Sequence, residues 1–124
     1  MNNLPETLML AYLGDAVLEL LVRDKLVKSG FISSADSNRE ALSYVTATAQ
    51  SEAAKRIMPL FTEEEADMFR LGKNARPRSI PRNVPSFTYH LATGFEVVFG
   101  YNHFLGRDER NLVLFDSAFG ATGE

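Results

Sequence analysis

The sequence predicts an all-α fold in a single domain. Apolar residues recur at spacings of three and four through most of the chain, the period of one helix face. Ser/Thr-x-x-Glu patterns, glycines and prolines punctuate these runs where helices start and stop. No segment alternates apolar and polar residues between turn signals, so no strand is expected.

The first helix is expected over 5–28. Leu10, Leu13, Val17, Leu20 and Leu21 share a face, Pro5 sits in the tolerated first turn, and Gly30 is a natural stop. Ser37-x-x-Glu40 is a candidate capping box for a second helical region. Leu42, Val45, Ala49, Ala53 and Ile57 give that region a core face, Ala47-Thr48-Ala49 allows a break, and Pro59 ends it. Thr62-x-x-Glu65 is a second capping box, and the acids of TEEEAD suit a helix N-terminus electrostatically; this helix reaches about Asn74. Pro77, Pro81 and Pro85 make 75–85 a loop. SFTYHLATGFEVVFGYNHFLG forms a long helix over about 86–105, and a short one covers about 107–117. The folded core is then about 4–117, with 118–124 expected to fray.

At 124 residues the chain can bury a core without staples, and the absence of cysteine excludes disulfides and thiolate metal sites. The N-terminal residues lack a signal-peptide pattern, and the longest near-apolar run, 8–22, is short and interrupted by Asp15 and Glu19. A cytoplasmic protein with no membrane association is expected. The formal net charge of −3 is unevenly spread. Five of the 13 basic residues, Arg70, Lys73, Arg76, Arg78 and Arg82, fall in RLGKNARPRSIPR with no acid among them. Such a local strip can bind a polyanion despite the negative total, because screening makes the contact field local.

Two acids stand out. Asp15 interrupts the apolar run LAYLGDAVLELLV, and Glu96 interrupts ATGFEVVFGY. Both have small helical neighbours: Ala11, Gly14 and Ala16 around Asp15, and Ala92, Thr93 and Gly100 around Glu96. Small neighbours leave room for a metal and its waters or for another helix. Should two helices bring these carboxylates together, the pair needs a cation or a proton. Magnesium suits such a pair, since it takes oxygen ligands and keeps several waters. The bland alternative is a pair of exposed helix acids.

LAYLGDAVLEL resembles the signature helix of the ribonuclease III family, in which the pattern reads L-E-F-L-G-D-x-V-L. ATGFEVVFGY resembles the family's second acidic helix. RLGKNAR, the basic proline-containing loop and the pair Thr88-Tyr89 resemble Mini-ribonuclease III, a compact bacterial branch without a separate double-stranded-RNA-binding domain. The resemblance covers about 4–117 and rests on the order and spacing of these three motifs.

The resemblance implies a ribonuclease III-like helical bundle working as a homodimer. It implies magnesium-dependent hydrolysis (manganese being a plausible substitute) of double-stranded RNA to 5′-phosphate and 3′-hydroxyl ends. The substrate would be a 23S ribosomal RNA precursor, with a ribosomal protein or pre-ribosomal particle as a possible further partner. Asp15 and Glu96 match the family's catalytic, metal-binding aspartate and glutamate. Two departures stand beside them: Ala11 and Thr93 occupy positions where the full-length pattern has acids.

Lys73, Arg76, Arg78 and Arg82 are the candidate RNA-phosphate contacts, with a solvated loop as the alternative. Glu19 is expected to pair with Arg23. His103 is expected to be packed or hydrogen-bonded, and His90 to be structural or near RNA. Phe87, Phe95, Phe99 and Phe104 are expected in the core or a dimer interface. Beside the nuclease reading stand a non-catalytic dimeric RNA-binding or ribosome-associated module and a helical metal-binding or interaction domain.

Overall fold

A computed structural model describes residues 4–30, 33–76, 80 and 82–120. Among these residues the chain forms helices α1 (Thr7–Lys28), α2 (Ser34–Val45), α3 (Ala47–Ile57), α4 (Glu63–Lys73), α5 (Ser86–Phe104) and α6 (Asp108–Phe119), with a 3₁₀ turn over Met58–Leu60 and no strand. The fold is the expected all-α bundle.

Helix α5 is its axis. Every residue from Leu91 to Asn102 is buried except Glu96. A helix that is apolar around its whole circumference needs neighbours on all sides, and α1, α3, α4 and α6 supply them. Phe95, Val98 and Phe99 of α5 join Leu18, Val22 and Leu26 of α1, Ala53, Ala54 and Ile57 of α3, and Leu114 and Phe115 of α6 in one core cluster.

Several caps follow from sequence chemistry. Thr62 and Glu65 form the reciprocal capping box, each side chain accepting the other's backbone N–H (3.1 and 2.9 Å). The chain breaks between α2 and α3 at Thr46, whose extended backbone lets its hydroxyl accept from Ala49 N at 3.1 Å. Gly30 follows α1 with φ at +96°.

Three details differ from expectation. Ser33, not Ser37, caps α2, accepting from Asp36 N at 3.2 Å; an Asp at the third position replaces the sought Glu, and Ser37 lies one turn inside. The buried face of α1 is Leu10, Ala11, Gly14, Leu18, Val22 and Leu26, while Leu20 is 69 % exposed. The inward face is the one carrying glycine, because α5 approaches too closely for a side chain there. Helix α6 continues through Phe119, with Ala118 buried. Its end is held by cations from two helices: Arg56 Nε donates to the Ala118 carbonyl and Lys25 Nζ to that of Gly120, each at 2.8 Å. Phe119 also packs edge-on against Tyr44 and Phe95. Residues 121–124 lie outside the described residues. Among those described, no helix is long and apolar enough to cross a membrane.

Candidate active site

Helices α1 and α5 cross with their backbones in contact. A methyl group on Gly14 would overlap the Glu96 carbonyl oxygen and lie 2.9 Å from Gly100 N. One on Gly100 would overlap the Leu10 carbonyl oxygen and lie 2.9 Å from Gly14 N. Only glycine at both positions permits this approach, which is the use of small residues at close helix crossings.

The crossing brings Asp15, the residue after Gly14, against Glu96. The two carboxyl groups are near enough to share a hydrogen bond. Asp15 is exposed and Glu96 is half-buried. Burial, then the adjacent Asp15 charge, then the shared hydrogen bond push the Glu96 carboxyl up to about 8. At neutral pH the metal-free pair therefore retains a proton. Among the described residues, no ion pair reaches either carboxylate.

Two adjacent carboxylates, one desolvated and neither neutralised by a base, are a fit for a hard divalent cation. No group of three His, Cys, Asp or Glu side chains converges among the described residues. The pair thus offers two protein ligands, which suits magnesium with its retained waters better than a metal needing a full protein cage. The two departures from the longer family pattern lie near these acids in sequence. Ala11 is buried and has no donor; Thr93 is buried with its hydroxyl donating to the Tyr89 carbonyl at 3.0 Å.

A second close crossing flanks Glu96. A methyl on Gly72 would lie 2.9 Å from Gly94 Cα and 2.7 Å from Val97 Cγ2. The end of α4 is thereby held at the turn of α5 that carries Glu96, and the basic strip begins there. Lys73 ends α4 and is half-buried, while Arg76 and Arg82 are exposed. Arg78 lies outside the described residues. Arg70 pairs with Asp67 at 3.4 Å.

Glu19 pairs with Arg23 at 3.4 Å on the surface. His103 Nδ1 is 2.6 Å from Asp108 Oδ1. His90 has its Nδ1 buried without a hydrogen-bond partner among the described residues. Phe95 and Phe99 are core, with ring centroids 4.9 Å apart, whereas Phe87 and Phe104 are exposed.

Sequence reasoning missed one polar cluster. Glu65 is 2 % exposed and accepts from Arg110 Nε and Nη2 (2.8 Å each) and from Asn102 Nδ2 at 3.0 Å. Burial alone would raise its carboxyl, but Arg110, the Thr62 N–H and Asn102 outweigh that and hold it at about 2. Beside it, Glu64 accepts from Tyr101 and Arg107, each at 2.7 Å. These contacts pin α4 to the α5–α6 corner. The capping box gave the only local signal, and nothing local joined it to arginines over forty residues away.

The Ribonuclease III domain family matches residues 8–106. Mini-ribonuclease 3 of Symbiobacterium thermophilum is 43 % identical over 83 % of this chain and 79 % of its own length. That of Enterococcus faecalis is 37 % identical over 94 % and 90 %. A crystal structure of a Fusobacterium nucleatum protein superposes with a TM-score of 0.84 at 27 % identity, covering 94 % of both chains. With the Asp15–Glu96 pair standing where the family motifs cross, the chain belongs to the ribonuclease III family, in its Mini-ribonuclease III branch.

Proposed function

We propose that the protein is an endoribonuclease that hydrolyses double-stranded RNA with magnesium, manganese substituting, and matures the ends of 23S ribosomal RNA in the cytoplasm. The observation that carries the hydrolytic reading is the juxtaposition of Asp15 and Glu96, whose repulsion and desolvation a divalent cation relieves. The relatives' name, Mini-ribonuclease 3, supports RNA as the substrate.

Asp15 and Glu96 would hold the ion, giving up the proton they share without it. When bound, the ion supplies activation of water and neutralisation of charge at the scissile phosphate. The 5′-phosphate product follows from breaking the bond on the 3′-oxygen side. Lys73, at the end of α4, and Arg76, Arg78 and Arg82, in the sequence that follows it, would grip the phosphate backbone, which positions a duplex without reading its sequence.

The reading includes a homodimer. Helix α1, which bears Asp15, also exposes Met9, Tyr12 and Leu20, at 52, 74 and 69 %. Covering these side chains with a second copy removes apolar surface from water, and two-fold symmetry offers one site to each strand of the duplex. A ribosomal protein or pre-ribosomal particle could present the substrate.

The test is incubation of the purified protein with a long RNA duplex, with magnesium and with EDTA. Magnesium-dependent cuts carrying 5′-phosphate are expected. A duplex left intact at every magnesium concentration, yet bound, would place the protein among non-catalytic RNA-binding modules of the same fold.

A further inference from the structure

The Asp15–Glu96 pair is set by backbone contact, and the contact is made by residues with no side chain. Gly100 lies one helical turn after Glu96, and Gly14 immediately precedes Asp15. The place a Cβ would take on either residue is occupied by main chain of the facing helix: Gly14 faces the Glu96 carbonyl and Gly100 N, and Gly100 faces the Leu10 carbonyl and Gly14 N. The hypothetical methyl on either residue meets backbone, not the yielding tip of a side chain. Backbone can give way only by moving a whole helix, so a single methyl there must part α1 from α5. Asp15 and Glu96 sit on opposite sides of that seam, and their separation follows the seam's width.

We infer that Gly100, interlocked with Gly14, is a positioning residue that fixes the spacing of the two carboxylates to the span of one divalent cation. The inference rests on the metal reading given above. It adds that the spacing is dictated by the contact of the two main chains. Aspartate has one methylene between backbone and carboxyl, and glutamate two. A longer acid at position 15 would therefore overreach while the helices stay in contact, and would fit better once they are parted.

The experiment counts free Mn²⁺ by electron paramagnetic resonance in titrations of the full chain, without RNA. Gly100→Ala is expected to weaken Mn²⁺ binding by roughly ten- to a hundredfold, the range seen when groups that orient metal ligands are lost. Ile57→Ala, in the core on α3, serves as the stability control; it is expected to lower the melting temperature while leaving Mn²⁺ affinity within about twofold. Asp15→Glu, with both glycines intact, is expected to weaken binding, and Gly100→Ala combined with Asp15→Glu is expected to recover part of the loss from Gly100→Ala.

Equal weakening by Ile57→Ala and Gly100→Ala at matched stability would overturn the inference, reducing the glycine to a packing role. So would wild-type affinity in Asp15→Glu, a result readable even if Gly100→Ala does not fold. Absence of Mn²⁺ binding by the wild-type chain would instead overturn the metal reading itself, and the positioning role with it.

Discussion

Glu65 and Glu96 are both acids facing the helical interior, and their surroundings treat them in opposite ways. Glu65 is almost fully enclosed, yet Arg110, Asn102 and the Thr62 N–H satisfy its oxygens and hold its carboxyl at about 2. Glu96 is less enclosed, yet among the described residues it meets a second acid and no base, and its carboxyl is pushed up to about 8. Burial by itself raises both. The partner decides the sign. A completed ion pair in a folded chain holds elements in place, whereas an uncompensated pair of like charges is a stored demand for a cation, which is how perturbed carboxylates come to mark functional sites.

The contrast can be broken chemically. Asp15→Asn or Glu96→Gln should cut cleavage of an RNA duplex by at least about a hundredfold, because each amide keeps the shape but loses the charge that holds the ion. Folding and duplex binding should persist. Near-normal turnover at matched magnesium in either variant would remove these residues from the site. Arg110→Met should do the reverse. It leaves Glu65 buried and unpaired, at a cost of about 3–5 kcal/mol, so denaturant unfolding should move to much lower urea, while protein still folded at low temperature keeps its affinity for Mn²⁺.

The two acids should also leave opposite marks on stability against pH, measured without metal. The Glu65 carboxyl is lower folded than unfolded, so its contribution is present above about 4.5, the ordinary value, and is lost as pH falls toward 2. The Glu96 carboxyl is higher folded than unfolded, so its neutral form is fully favourable below about 4.5 and the benefit is lost as pH rises through 8. Glu96→Gln should therefore flatten the decline in melting temperature between pH 5 and about 8, leaving the chain more stable than wild type at the upper end, the behaviour expected of a site where function opposes stability. A decline that persisted in Glu96→Gln would assign it to another group. The same shift links pH to metal: Mn²⁺ affinity should rise by up to about tenfold per pH unit below 8 and then level off, as the proton to be displaced is lost.

The smallest expected effect concerns the loop. Replacing Arg76, Arg78 and Arg82 by Ala should weaken duplex binding and lower its log–log salt slope by roughly one unit per lost phosphate contact. Single-turnover cleavage at saturating protein should fall much less. Collapse of saturated cleavage with an unchanged slope would move these arginines into the catalytic apparatus.

What the sequence determined by itself is local. Helical period, capping chemistry and the prolines gave five helical regions to within a few residues and allowed the break that splits the second of them into α2 and α3, since caps and turns are decided by neighbours along the chain. Order and spacing of the LGDAVLEL and ATGFEVVFGY motifs gave the family and the two acids. Tertiary structure decided which face of α1 is inward, because Leu20 and Leu18 are equally apolar and only the partner helix distinguishes them. It decided that the small residues around Asp15 and Glu96 admit a helix backbone, where spacing alone left room for either a metal or a helix. It also decided that Glu65 belongs to Arg110 and that α6 holds on through Phe119. A residue's charge and hydrogen-bonding capacity are written in the sequence, but whether that charge is met by a base or by another acid depends on contacts across tens of residues, and only folding brings those into reach.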